Sequence, residues 1–285
     1  MKISANGIEM SYELSGQGNC LVLIHGFGDN LNMWYHQVPD FSKQYRVLTY
    51  DVRGFGQTEM TKGSYSMRLL ADDLYELLKV LEIKSGCVLG YSMGGMIALN
   101  FALRHPDVIT GLIFANSAAG EASIAKREER QKRIMHVLQQ GNIEVISEMM
   151  TVGSFSPDFK KRNQAEFNEY KKIKMQNDPS SYIAIMEALS ADRVAPPDVR
   201  KVTCPVLIIA GDKDSFTALD MAESMKNSIK DAVLKVLSTG HAAAIEAPKE
   251  FNQVVLDFMN KLRGHNSLSS FSCRLERQDG DKTER

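Results

Sequence analysis

Four cysteines are spread over 285 residues, and no two of them form a Cys-x-x-Cys pair. That scarcity excludes a disulfide-stapled scaffold and the common thiolate metal sites. Cys87 and Cys204 fall in or beside strand-like runs, where a free thiol packs as a small core residue; a reducing, cytoplasmic compartment fits this usage. Charge of one sign is equally scarce: 34 Lys and Arg against 35 Asp and Glu leave a net charge of −1. Such a chain offers no broad field to nucleic acid or to an anionic membrane. No run approaches the roughly 18 apolar residues of a membrane-spanning helix. The opening "MKISANGIEMSYELSG" alternates like a strand and lacks the apolar stretch of a secretory signal. There is no internal repeat, and no Cys/His cluster calls for a metal or an organic cofactor.

What remains is an ordinary globular composition, 44% hydrophobic and 24% charged, in a chain long enough to bury roughly 75% of its unfolded surface. Asn6-Gly7 sits between two alternating runs, a hairpin signal. "CLVLIHG" and "YRVLTYD" are continuous apolar runs of strand length, as expected for strands covered on both faces. Over residues 64–83 the period changes: Met67, Leu70, Leu74, Leu77, Leu78 and Leu81 share one helical face, with Asp72, Asp73 and Glu76 opposite. The strand "GCVLG", a helix beginning at Ser92 and the strand "TGLIFANS" follow. Strands alternating with helices predict a parallel sheet with helices on both faces, an α/β fold.

Residues 119–197 break the rhythm. They are helix-like and rich in Lys, Glu, Gln and Met, with breaks at Gly141, Gly153, Pro157 and "NDPS", and read as three or four helices inserted into the sheet domain. The charged run "AKREERQKR" within them reads as a solvated helix face. After Pro196-Pro197 the alternation returns with "CPVLIIAGDKD", a helix near 217–228, the strand "AVLKVLS" and a last helix that buries Phe251, Val254, Val255, Phe258, Met259 and Leu262. The sheet domain therefore spans 1–118 and 198–263. The tail 264–285 carries four positive and four negative residues among few apolar ones, and is expected to be disordered.

The chemistry centres on "GYSMGG". Gly90-Tyr91-Ser92-Met93-Gly94 satisfies G-x-S-x-G, with an apolar strand before it and a helix after it. A nucleophile on so sharp a turn has a strained backbone, and side chains two residues away on either side would collide with it, hence the glycines. The helix N-terminus behind Ser92 favours a developing negative charge. A serine hydroxyl is a weak nucleophile until a base takes its proton. On turns of this kind the partners follow in the order Ser, acid, His, which removes His25 and His36. His105 reads as a surface cap at a helix end, His136 lies in the charged insert and His265 opens the tail. His241 remains, directly after the last strand. The acid is expected in "LIIAGDKDSFTALD": Asp214, whose loop position gives it the reach, with Asp212 as the alternative. Two backbone N–H groups should hold the oxyanion: that of Met93, after the nucleophile, and that of Phe27 in "LIHGFGDN". His25 shapes this loop. Phe27, Tyr91 and Met93, next to the reacting centre, are expected pocket walls. "HGFGDN" lacks the third glycine of a dinucleotide loop.

Taken together and in this order, "HGFG", "DVRGFGQT", "GYSMGG", "GDKD" and "GHAAAIEAP" closely resemble the α/β-hydrolase superfamily over about residues 8–262. The resemblance implies an eight-stranded, mostly parallel sheet with a helical cap inserted after the sixth strand, the cap roofing the pocket. It implies structural roles for Asp51 and Arg53 in "DVRGFGQT". Within the superfamily the chain looks most like small bacterial esterases and 3-oxoadipate enol-lactonase-like hydrolases, although "DSFTALD" lacks the proline often found there. Trp34 is expected beneath the oxyanion loop. Met149, Met150, Phe155, Phe159, Tyr182 and Met186 are expected to form the cap's own core. The function so implied is cleavage of a small, partly apolar ester or lactone without a cofactor. C–C hydrolysis, cofactor-free perhydrolysis and a slow-turnover ligand receptor are the alternatives. Oligomeric state is not read from the sequence.

Overall fold

Asn6 and Gly7 both take positive φ (48° and 75°), the twist that a two-residue hairpin needs, and fold β1 (Lys2–Ala5) back onto β2 (Ile8–Ser15) with Ala5 opposite Ile8. The computed structural model describes residues 1–117, 142–191 and 199–275, with residues 132, 135, 136 and 139 between the first two segments. The remaining strands are β3 (Cys20–Ile24), β4 (Arg46–Tyr50), β5 (Gly86–Tyr91), β6 (Ile109–Ala115), β7 (Val206–Gly211) and β8 (Val233–Leu237). They form one sheet in the order β1-β2-β4-β3-β5-β6-β7-β8. β2 runs antiparallel to both its neighbours and every other pairing is parallel.

The two faces follow from the strand period of two. Val22, Ile24, Leu48, Val88, Leu112, Phe114 and Ile208 pack on one side, against α2 (Met67–Val80), α3 (Met93–Arg104) and α8 (Leu219–Ser228). Leu21, Leu23, Val47, Leu89, Ile113, Leu207 and Ile209 pack on the other, against α1 (Val38–Phe41), α9 (Ala243–Glu246) and α10 (Pro248–Leu275). Burial on both faces explains why β3, β5 and β7 read as unbroken apolar runs. Cys20 and Cys87 are buried within this core; burial pushes the Cys20 thiol up to about 12, which keeps it protonated.

α2 starts where the hydroxyl of Ser66 caps the Leu69 N–H (3.0 Å). One residue departs from its expected face. Asp73 is buried, not solvated, because Arg53 reaches it with two hydrogen bonds (Nε to Oδ2, 2.8 Å; Nη2 to Oδ1, 2.5 Å). Arg53 thus ties the "DVRGFGQT" loop to α2. Asp51 secures the same loop by accepting from the N–H groups of Leu31 (2.8 Å) and Gln57 (2.9 Å).

Among the described residues, the elements between β6 and β7 include α4 (Ile143–Ser154), α5 (Phe159–Arg162), α6 (Gln164–Met175) and α7 (Pro179–Ala191). The expected cap boundaries at 118/119 and 197/198, Gly141 and most of "AKREERQKR" lie outside the described residues. Gly153 does not break α4 but sits in its last turn, where a Cβ would lie 2.3 Å from the ring of Phe216. Phe155, Phe159, Phe167 and Tyr170 form an aromatic cluster, with Phe155 and Phe159 stacked at 4.2 Å. Tyr182 and Met186 join the opposite core, with Met149 and Met150 partly buried against it.

α10 runs to Leu275, past Gly264, the first residue of the tail expected from the sequence. A glycine inside a helix costs only about 1 kcal/mol relative to alanine, and no proline follows it to stop a helix already anchored by Phe251, Val255, Phe258, Met259 and Leu262. Residues 276–285 lie outside the described residues. Among the described residues, no helix is long and apolar enough to cross a membrane.

Candidate active site

β5 ends at Tyr91, and the chain turns into α3 through Ser92, whose φ of 52° lies in the left-handed region that side-chain-bearing residues rarely adopt. The turn is held by the Ser92 N–H donating to the Ala115 carbonyl (2.9 Å) and by the Ser117 hydroxyl donating to the Ser92 carbonyl (2.7 Å). The flanking glycines are required sterically. A Cβ on Gly90 would lie 2.2 Å from the Gly94 carbonyl oxygen, and one on Gly94 would lie 2.3 Å from that of Ile24. Both obstacles are backbone, so Gly90→Ala is expected to cost about 1–3 kcal/mol by overpacking. Urea unfolding midpoints check this; an unchanged midpoint would show that the turn has slack.

Two further strand ends supply the partners. The loop after β8 carries His241, and the loop after β7 carries Asp214. His241 Nε2 lies 2.8 Å from Ser92 Oγ, and His241 Nδ1 lies 2.8 Å from Asp214 Oδ2. A carboxylate only accepts, so the imidazole proton sits on Nδ1 and Nε2 accepts from the serine hydroxyl. Asp212, the alternative acid, is exposed and accepts from the Ser238 hydroxyl (3.3 Å). Burial opposes the charge of Asp214, but His241 together with the hydroxyl and N–H of Thr217 outweighs it and holds the pKa below the usual carboxylate value. Its Oδ1 accepts from the N–H groups of Phe216 (2.8 Å) and Thr217 (2.9 Å), and its Oδ2 from the Thr217 hydroxyl (2.5 Å).

The imidazole is packed as well as bonded. Phe216 meets it edge-on at 5.0 Å, and Tyr91 backs it at 5.2 Å. The Tyr91 ring in turn meets buried Trp34 edge-on at 6.5 Å, which places it behind the imidazole. Phe27, Tyr91 and Met93 are all buried next to the turn, whereas Ser92 itself is partly open. No acceptor among the described residues takes the backbone N–H of Phe27 or of Met93, and unsatisfied N–H groups in a buried site are rare enough to need a reason.

Three contributors are absent from the sequence reading. Asn116, in left-handed conformation (φ 46°) at the end of β6, donates to Asp214 Oδ2 (3.2 Å) and to the Gly240 carbonyl (3.3 Å). Glu246 accepts from the Gly240 N–H (2.9 Å) and the Ser156 N–H (3.0 Å), fixing the histidine loop. Thr217 braces the acid. The one available signal was Asn after the strand "IFA", since Asn tolerates left-handed backbone.

His25 is fully buried. Its Nε2 accepts from the Val52 N–H (2.9 Å), leaving Nδ1–H to donate to the Gly26 carbonyl (2.8 Å). Burial lowers its pKa, against partial opposition from the Asp51 carboxylate, the Gly26 carbonyl and Asp29. Below the unfolded value of about 6.5, the unfolded chain binds a proton that the native state refuses. Stability therefore falls on acidification from that point until the native pKa is reached, by at most about 1.4 kcal/mol per pH unit. His25→Gln should flatten this part of the stability–pH curve measured by urea midpoints; an unchanged slope would contradict it.

Among the described residues, no group of three or more His, Cys, Asp or Glu side chains is placed to hold a metal ion. A strand–turn–helix serine with a histidine and an acid at the carboxyl rim of a mostly parallel sheet defines a class of protein. Residues 19–248 match the model of the alpha/beta hydrolase fold family, and the chain belongs to that family. Among its relatives, 3-oxoadipate enol-lactonase 2 of Acinetobacter baylyi is 29% identical over 261 residues, covering 91% of this chain and 96% of that one. The crystal structure of the enol-lactonase from Burkholderia xenovorans LB400 superposes with a TM-score of 0.83 at 26% identity, covering 91% of this chain and all of that one. A thermophilic esterase from Thermogutta terrifontis shares the fold, with a TM-score of 0.84 at 24% identity over 92% of this chain and 98% of that one.

Proposed function

We propose that this hydrolase cleaves a carboxylic ester or lactone of a small, partly apolar substrate through an acyl-enzyme on Ser92. The observation that carries the reading is the continuous line from Ser92 Oγ through His241 to Asp214, each step 2.8 Å. Ser92 Oγ attacks the carbonyl carbon as its proton passes to His241 Nε2. Asp214 holds the imidazole in the required tautomer and balances the imidazolium. The oxyanion is received by the free N–H groups of Met93 and Phe27. Collapse expels the alkoxide, which takes the proton from His241; in a lactone this alcohol stays attached to the acyl group. Water then repeats the sequence, with His241 as base, to release the acid and restore Ser92. Phe27 and Met93 flank the carbonyl, and Tyr91 supports the imidazole from behind. The enol-lactonase relatives favour the lactone arm.

A panel of p-nitrophenyl esters and small lactones tests this. Many turnovers per protein, and a fluorophosphonate adduct confined to Ser92, are the expected result. Near-stoichiometric hydrolysis with a ligand-dependent rise in melting temperature would instead favour a receptor. Turnover only of vinylogous diketones would favour C–C cleavage.

A further inference from the structure

The end of α6, the link to α7 and the first turn of α7, residues 174–182, lie on the oxyanion loop Gly26–Asn30 and bond to it through Lys174, Gln176, Asn177 and Tyr182. Asn177 Nδ2 donates to the Gly28 carbonyl (2.8 Å), while its Oδ1 accepts from the Gly56 N–H (2.7 Å). The Tyr182 hydroxyl is shared between the carbonyls of Lys174 (2.8 Å) and Gly28 (3.2 Å). Asn30 Nδ2 reaches Gln176 Oε1 (3.0 Å), and the Ser181 hydroxyl donates to the Gly54 carbonyl. Gly28 (φ 75°) admits this approach, because a Cβ there would lie 2.6 Å from the Tyr182 ring. The Tyr182 ring also meets Phe27 edge-on at 5.2 Å.

At the centre is an ion pair. Lys174 Nζ lies 2.5 Å from Asp29 Oδ1, with side chains only 2% and 1% exposed, and 4.4 Å from the Tyr170 ring centre. Two buried charges tolerate each other only together; removing one leaves the other uncompensated. A surface lid that lifts freely would not carry such a pair across its seam. The donors do not touch the reacting atoms. They fix the carbonyl of Gly28, the residue after the one whose N–H is assigned to the oxyanion, so a flip of that peptide would break two hydrogen bonds at once.

We propose that Lys174, Asn177 and Tyr182 are positioning residues: the cap junction clamps the loop that presents the Phe27 N–H, so that the oxyanion site is built across the cap–sheet seam. The proposal rests on the oxyanion role assigned to Phe27 above. It makes the cap part of the catalytic geometry and not only the roof of a pocket. Its effect belongs to the transition state, since a misplaced N–H weakens the bond to the developing oxyanion more than the bond to a ground-state carbonyl.

The experiment compares the full-length protein with Asn177→Ala and with Asn177→Asp, which keeps the Gly56 contact and loses the donor to Gly28. Amide hydrogen exchange resolved over residues 26–30 should quicken by about 10-fold or more in both variants, while the amides of α3 keep their rates. With p-nitrophenyl acetate, kcat should fall by about 10–100-fold with KM changed less than about 3-fold. Affinity for an alkyl trifluoromethyl ketone, which forms a tetrahedral adduct on Ser92, should fall in parallel. Unchanged exchange over residues 26–30 overturns the clamp whether or not the protein is an esterase. Faster exchange with kcat preserved and KM raised overturns the catalytic role and reduces the junction to a pocket wall. Absence of ester turnover and of Ser92 labelling in the unaltered protein would defeat the functional reading alone, and the exchange result would still decide the clamp. Lys174→Met, expected to melt lower, should be relieved by adding Asp29→Asn; no relief would overturn the pairing across the seam.

Discussion

Ser92→Ala is expected to lower turnover of p-nitrophenyl esters by about 10⁵–10⁶-fold, to a residue set by binding and the oxyanion donors. Nothing else at the turn can replace the lost oxygen. Asn116 and Thr217 are committed to Asp214, and Ser117 to the Ser92 carbonyl. The fold should barely respond. Alanine keeps the Cβ and the same backbone demand at φ 52°, and the deleted hydrogen bond contributes roughly 0.5–1.5 kcal/mol, a shift of only about 2–4 °C per kcal/mol in melting temperature. Steady-state kinetics with a parallel melt separates the two. A variant that retains even one hundredth of the activity would remove Ser92 from the mechanism.

The second large effect is expected from Asp214→Asn, a loss of about 10⁴-fold in kcat at neutral pH. The substitution preserves shape, yet its amide can present N–H to His241 Nδ1. That selects the tautomer with the proton on Nε2, facing Ser92, where the ring can no longer accept. His241 and Thr217 hold the Asp214 carboxyl below the usual carboxylate range against the opposing effect of burial, so it is charged at the neutral pH of the comparison. Asp212→Asn serves as the internal comparison: exposed, with its carboxylate accepting only from the Ser238 hydroxyl among the described residues, it should leave kcat within about two-fold. Reversal of the two results would transfer the acid to Asp212.

What the sequence made legible follows from how local each signal is. The hairpin at Asn6-Gly7, the buried strands β3, β5 and β7, and the Ser92 turn are each specified by a few adjacent residues whose backbone or burial admits no alternative. The meeting of Ser92, His241 and Asp214 was legible because each follows the end of a strand, and parallel strands bring their ends to one rim. Asp73 was misplaced because its partner, Arg53, lies 20 residues away, and helical period alone puts a carboxylate in water. Asn116 was missed for the same reason, since it acts on Asp214, 98 residues away; Glu246 joins the nearby Gly240 N–H to that of Ser156, 90 residues away. The clamp by Lys174 and Asn177 is a contact across about 145–149 residues, and no local pattern distinguishes a lysine at that position from a solvated one.

The proposed mechanism requires a covalent bond to form at one oxygen, Ser92 Oγ. Mixing the protein with p-nitrophenyl acetate, quenching in acid within milliseconds and mapping the peptides by mass should find one acetyl group, carried by the peptide that contains Ser92 and absent when that residue is alanine. Acetyl on another side chain, or turnover with no acyl-protein at any quench time in the presence of a nitrophenolate burst, would contradict it.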